Sequence, residues 1–476
     1  MRIRLMTVVA AAVLALGLLP GTAGGQASPL DQVFASDNVK VVNRLAEGVG
    51  AISMQFASDE PLMYLSTLKG LQIYDVEDPR SPQLVSALPL PHFQNEAMSL
   101  GERRNGDAFV LIASTLVAAT TTGEVDPGRA RFVAVVEVTD PAAPEVVATL
   151  ETPTRTHTVS CSSKACPFAY SDGRTQGEMS IIDLRDFREP QVAGTYKSVV
   201  PQGHDEDLDD AGILWHVGGQ GAVALDITTP TEPVPLNSTN EEGLGNDDRE
   251  GSPYNNFILH NSTRPNAKKF KEFSEPSLDH GNVLLATEED TGAGACGPEL
   301  GSFQTWEIPH LSAARYREQN PNLEPGLGSI SPLDKWYPED AAVGANCSAH
   351  YFDYHDQGFV AQGWYEYGTR ILDVRDPYDI KQVGFFFTPA SETWAAYWVP
   401  ARNDQGVANG KQSNIVYTTD VGRGVDVLEV GLPTDRKPKD TNAVTAPVLS
   451  ESQLATRPTF SEPSEDWGFV CRVPQL

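Results

Sequence analysis

Basic residues are scarce in this chain, cysteines are few, and no long apolar run occurs beyond Leu19. Lysine and arginine number 35 against 64 aspartates and glutamates over 476 residues, for a formal charge of −29. A surface so acidic repels nucleic acid and anionic membranes; it suits cations, basic partners or solubility alone. The basic run Lys268-Lys-Phe-Lys271 is too short for a nucleic-acid interface. The five cysteines form no Cys-x-x-Cys pair, which disfavours a thiolate zinc site or a thioredoxin-like redox motif. Neither a Gly-x-Ser-x-Gly nucleophile elbow nor a Gly-rich phosphate loop is present. His204-Asp-Glu-Asp-Leu-Asp-Asp210 is rich in acid, yet it lacks the glycine and terminal glutamate of an EF-hand loop, and a solvated turn is expected there.

The amino terminus reads as an export signal. Arg2 and Arg4 precede the apolar run Val8 to Leu19, and Pro20 and the small residues Gly21 to Ala27 follow. This pattern predicts a signal peptide over residues 1–27, cleaved between Ala23 and Ala27. The apolar run is shorter than the ~20 residues a spanning helix needs. The mature chain is therefore expected to be secreted or extracytoplasmic, with no transmembrane segment. An oxidising compartment permits disulfides. Cys161 and Cys166 flank Ser-Ser-Lys-Ala and suit a hairpin bridge, while Cys296–Cys347 and Cys347–Cys471 are both open pairings.

Glycine (40) and proline (35) are abundant, as many tight turns require, and favour an all-β class. Their placement is periodic. Gly368-Thr-Arg-Ile-Leu-Asp-Val-Arg-Asp-Pro377 reads as a buried strand closed by an Asp-Pro turn. An acid preceded by two strand-type residues and followed by an aliphatic one recurs at Asp75, Glu137, Asp183, Asp226, Glu307, Asp373 and Glu429. Proline stands four residues after the acid at Pro79, Pro141, Pro230, Pro377 and Pro433, and glycine five before it at Gly70, Gly221, Gly368 and Gly424. Successive acids lie 62, 46, 43, 81, 66 and 56 residues apart. The shorter intervals match the roughly 40–50 residues of a four-stranded propeller blade. Seven copies predict a seven-bladed β-propeller over 39–432, with Met63 to Leu68 as an inner strand and Val39 to Ala46 completing the seventh blade. A linker and tail over 433–476 follow, in which Asp466 to Cys471 is expected to dock on the body.

Gly70-Leu-Gln-Ile-Tyr-Asp-Val-Glu-Asp-Pro79 and the copy ending at Pro377 resemble LVIVD repeats, a propeller-forming motif of secreted and surface proteins. The resemblance spans roughly residues 40 to 432. His310 and Gly431 replace the turn acid in the fifth and seventh copies. It implies the propeller architecture and carries over no catalytic residue.

Histidine placement points to chemistry. His157, His204 and His350 precede the acid of their own repeats by 26, 22 and 23 residues, and His260 by 47 across the insertion that holds the basic run. That position is the start of the innermost strand, so four successive blades are expected to point an imidazole at one axial opening. Asp172, His216, Glu288-Glu-Asp290, Glu366 and Asp420 fall in turns expected at the same end. Imidazoles with carboxylates around them suit a divalent metal such as iron, copper, zinc or manganese. Glu289, Glu366 and His216 are the expected additional or supporting ligands, and binding is expected to weaken below about pH 6 as imidazoles protonate. For any single histidine, a structural hydrogen bond within the blades is the competing explanation.

Two functions follow. One is an exported module that binds a small ligand or a protein, with the metal structural. The other is a metal-dependent oxidoreductase or hydrolase working at the channel mouth.

Overall fold

The computed structural model describes residues 32–90, 95–114, 132–172, 178–200, 203–245, 254–290, 296–297, 300–323, 326–339, 347–435, 437–454, 460–461 and 473–474. The signal peptide assigned to residues 1–27, Cys471 and the Asp466–Cys471 segment lie outside the described residues. Among those described, no helix is long and apolar enough to cross a membrane.

Seven antiparallel sheets follow one another along the chain, and each is a blade with its first strand innermost. Blade 1 runs from Ala51 to Pro89, blade 2 from Ser99 to Glu151 and blade 3 from Thr158 to Lys197. Blade 4 spans Gly203 to Ser238, blade 5 Ile258 to Trp336 and blade 6 Ala349 to Phe387. Blade 7 takes its three inner strands from Thr393 to Val430 and its outermost strand from Val39–Leu45, which pairs antiparallel with Gly424–Val430. The ring thus closes by pairing both ends of the propeller sequence within one blade, with the segment from Val39 completing blade 7 as the sequence predicted. Phe34–Ala35 adds a fifth strand to blade 6.

Every repeat acid sits on the third strand of its blade, and the four aspartates among them have a structural function. Asp75, Asp183, Asp226 and Asp373 each accept the backbone N–H two residues on, from Glu77, Arg185, Thr228 and Arg375, at 2.8–3.1 Å. Each carboxylate fixes the turn to the outer strand. The prolines that follow are used between blades. Their carbonyls accept hydrogen bonds from Tyr417 to Pro79 (2.7 Å), Ser86 to Pro141 (2.6 Å), Tyr170 to Pro230 (3.0 Å) and Thr305 to Pro377 (2.6 Å). The repeat is therefore the joint between neighbouring blades, which is why it recurs once per blade. Strand Gly368–Asp373 is buried along its length. Apolar clusters fill the spaces between adjacent blades, such as Val39, Phe359, Ile371, Phe386, Trp398 and Leu428 between blades 6 and 7.

Two expectations change. The strand at Leu62–Thr67 is the second of blade 1, and the inner one is Ala51–Phe56. Only the end of His204 to Asp210 is a solvated turn, at the exposed Asp210: Gly203–Leu208 is the innermost strand of blade 4, where burial of its acids is possible because it lines the channel. The segment after Pro235 begins as the outer strand Val234–Ser238 and a short turn of 3-10 helix at Glu241–Gly243. Beyond the propeller, Ala446 and Leu449 pack on Phe385 and Phe387 of blade 6, with Phe34 beside them. Cys161–Cys166 and Cys296–Cys347 both lie at disulfide distance, with Cα separations of 4.8 and 5.0 Å.

Candidate metal centre

The inner strands of blades 3 to 6 begin side by side at one end of the channel, and each brings one histidine. His157 immediately precedes strand Thr158–Cys161 and donates its backbone N–H to Asp172 of the next strand (2.7 Å). His204, His260 and His350 fall where the pairing of their strands with the next slips, between Gly203 and Asp205, Leu259 and Asn261, and Ala349 and Phe352. A bulge frees one residue from the ladder and re-aims its side chain; here the freed residue is the histidine. The same slip in blades 1 and 7 frees Ile52 and Trp394. These two lie in an apolar cluster with Ile258, Tyr365 and Val421.

Blade 2 contributes Glu96, three residues before its inner strand Ser99–Glu102. Its Oε2 lies 3.0 Å from Nε2 of His157, 3.3 Å from that of His260, and 3.5 Å from those of His204 and His350. The His157 and His204 Nε2 atoms are 3.1 Å apart. Ligands about 2.0–2.1 Å from a common metal lie roughly 3 Å from their neighbours around it, which is the spacing found. All five side chains are buried.

Hydrogen bonding at the far side of the rings decides what faces the centre. His204 Nδ1 lies 2.9 Å from the His260 carbonyl, and His350 Nδ1 2.6 Å from that of Trp394. A carbonyl only accepts, so in both rings Nδ1 carries a proton and Nε2 is the nitrogen turned inward, a lone-pair donor whenever the ring is neutral. Burial, then the neighbouring imidazoles His260 and His157, hold His204 well below the ordinary histidine value. Burial and then His350 push His260 down to about 3. Burial alone would raise Glu96, but the facing imidazoles outweigh it and keep the carboxyl well below its usual range. Lone pairs and a carboxylate thus converge. Neither Glu96 oxygen, nor Nε2 of His260 or His350, makes a directed hydrogen bond. Buried polar atoms left in this state are costly, and a cation among them is the arrangement that satisfies them together.

The supporting residues divide. Glu289 Oε2 approaches His260 Nε2 at 3.8 Å, and its other oxygen takes the hydroxyl hydrogen bond of Tyr365. His204, His260 and Glu289 form a further group able to hold an ion. Glu366 belongs to none of the metal-capable groups among the described residues; from its turn it is Tyr365 that reaches the centre, its ring 4.8 Å from that of His350. His216 is likewise not with the four imidazoles. It hydrogen-bonds Asp172 (3.0 Å) and Ser198 (2.8 Å) and falls in a separate buried group with Asp172 and Glu206.

Glu96 was missed because the interval before its repeat acid, 41 residues, looks unlike the others. Setting aside the 17 residues of 115–131 leaves 24, within the range of the histidines.

No protein-family model matches the chain, and no curated protein does. Among solved structures, the chain resembles the β-propeller domain of Myceliophteria thermophila Cps50 (Swd1), with a TM-score of 0.51 at 12% identity over 83% of this chain and 100% of that one. At that identity the likeness concerns the fold alone.

Proposed function

We propose that this protein is an exported β-propeller of the LVIVD-repeat kind, acting as a ligand- or protein-binding module. In this reading one divalent transition-metal ion is held in its channel by His157, His204, His260 and His350, with Glu96 as a fifth donor. The observation that supports it is the approach of four imidazole Nε2 atoms to a single carboxylate oxygen at 3.0–3.5 Å. Neutral imidazoles with one carboxylate suit iron, copper, zinc or manganese over calcium or magnesium, which prefer oxygen. Glu289, positioned by Tyr365, adds negative charge beside His260 and offsets that of a dication.

The alternative, a metal-dependent oxidoreductase or hydrolase, calls for an apolar substrate pocket beside the imidazoles. The space adjoining Glu96 sets Asp205, Glu206, Asp207 and Asp353 among its apolar and aromatic side chains, a lining that suits a cationic ligand better than an apolar substrate and favours the binding reading. Elemental analysis of protein purified from the exported fraction is the test. Near-stoichiometric transition metal is expected, falling well below stoichiometric in His204→Ala and His350→Ala variants that remain folded. Metal content unchanged by both substitutions would remove the proposal and leave the histidines a structural role.

A further inference from the structure

Farther along the same inner strands the channel widens into a chamber of about 490 Å³, which Glu96 also borders. Asp205, Glu206 and Asp207 of blade 4 and Asp353 of blade 6 line it, and the one cation among its described lining residues, Lys164, is engaged with Asp59 at 2.8 Å. Some of these acids have fixed partners. Asp353 accepts the backbone N–H groups of Tyr354 (2.8 Å) and Trp398 (2.9 Å), and Asp207 the Thr263 hydroxyl (3.3 Å). Others are left over. Asp205 Oδ1, Glu206 Oε1 and the Ser262 hydroxyl have no hydrogen-bond partner, although these residues are only 5%, 2% and 2% exposed. The wall also carries five aromatic side chains, Phe56, Tyr351, Phe352, Tyr397 and Trp398.

We infer that this chamber binds a small organic cation with amine N–H donors, the ammonium seated on Asp205 and Glu206 and the hydrocarbon part against Tyr351, Tyr397 and Trp398. Four acids crowded into one buried wall resist ionising in an empty chamber; an ammonium seated among them supplies N–H donors for the unpartnered oxygens and the positive charge that lets the carboxyls ionise. Volume separates an organic cation from a bare ion. A water molecule's share of the liquid is about 30 Å³, so one hydrated ion would leave most of the chamber unused, whereas pockets of ~300–1,000 Å³ suit whole organic ligands. The aromatic wall adds a second discrimination, because ammonium groups are attracted to ring faces. Ser262, free to donate or accept, provides a polar contact independent of the acids. The site requires no metal at the imidazoles.

The test is calorimetric titration of the full mature chain, stripped of metal by a chelator, with 1,4-diaminobutane and with uncharged 1,4-butanediol. Saturable binding of one diamine is expected, with the diol weaker by about a hundredfold or more. Asp205→Asn should weaken the diamine at least about tenfold, and Ser262→Ala by roughly threefold. If Asp205→Asn does not fold, the diol comparison and Ser262→Ala still decide. Absence of diamine binding, equal binding of the diol, or full displacement of the diamine by calcium at equimolar concentration would each overturn the assignment. Because the chelated chain is used, loss of the metal reading would leave this result intact, and the converse also holds.

Discussion

Glu96 Oε2 stands 3.0 Å from His157 Nε2, joining the carboxylate of blade 2 to the first of four imidazoles delivered by blades 3 to 6. The two chain segments are also tied through their backbones, since Glu96 N–H donates to the His157 carbonyl and Ala97 bridges Thr158. Glu96 is thereby a fixed part of the ring of donors.

Replacing that carboxylate tests its part. Glu96→Gln preserves volume while removing the charge and one strong donor, so metal affinity should fall at least about tenfold, the lower range for losing even an outer partner of a metal ligand. Competition with a chromophoric chelator measures this. Unaltered affinity would mean that Glu96 only fills the channel.

The pH profile of the metal-free chain is set by two opposed groups of buried side chains. His260, pushed down to about 3, stays neutral in the native state while the unfolded chain takes up protons below about pH 6.5, so its contribution worsens as pH falls through that window. Burial raises Asp207, Asp353 and Glu288 to about 7. These carboxyls stay protonated when folded, and their contribution is lost as pH rises from about 4 toward 7. Stability is therefore expected to peak in mild acid, with a higher urea midpoint near pH 5.5 than at pH 8. His260→Asn should flatten the acid side. A midpoint that climbs steadily to pH 8 would contradict this balance.

Lys335 is the cation nearest one of those acids, its Nζ 3.4 Å from Glu288 Oε2. Glu288 also accepts from Asn256 N–H (2.6 Å) and the Ser302 hydroxyl (2.9 Å), so it cannot turn away when the lysine goes. Lys335→Ala should cost roughly 3–5 kcal/mol where Glu288 is charged. The loss should be larger at pH 8 than at pH 5, where the carboxyl is protonated anyway. Equal losses at both pH values would show that only the packing of the lysine stem matters.

The fold was legible because the repeat is local: Asp373 and its counterparts fix a turn two residues away, so their chemistry is written in consecutive positions. The histidines were legible for a related reason, standing at near-constant distances before those acids. What stayed hidden depends on inter-blade geometry. Glu96 is displaced in sequence by residues 115–131, and the bulges that free His204 and His260 from their ladders have no residue signature of their own. Glu366 and Tyr365 are adjacent in sequence, and only the turn they share determines which one reaches Glu289. The acids of Asp205 to Asp207 suggested solvent because charge usually seeks it; a polar channel through the fold offers them an alternative that composition does not reveal.

Ring closure gives the last prediction. Val39–Leu45 covers the outer edge of Gly424–Val430, and Asn38 ties it down by donating to the carbonyls of Val383 (3.1 Å) and Gly431 (3.0 Å). Val39 is buried against Phe386, Leu428 and Val430, a contact whose loss alone is worth about 1.5–3 kcal/mol. A mature chain beginning at residue 47 would leave the third strand of blade 7 as an open edge rich in valine and leucine. Open edges of this kind recruit other strands. The truncated chain should therefore unfold at lower temperature and self-associate in light scattering, and a synthetic peptide covering 34–46 should reverse both effects when added in trans. A truncated chain that stays monomeric with an unchanged melting temperature would mean that the blade-to-blade packing, and not the paired strand, holds the ring shut.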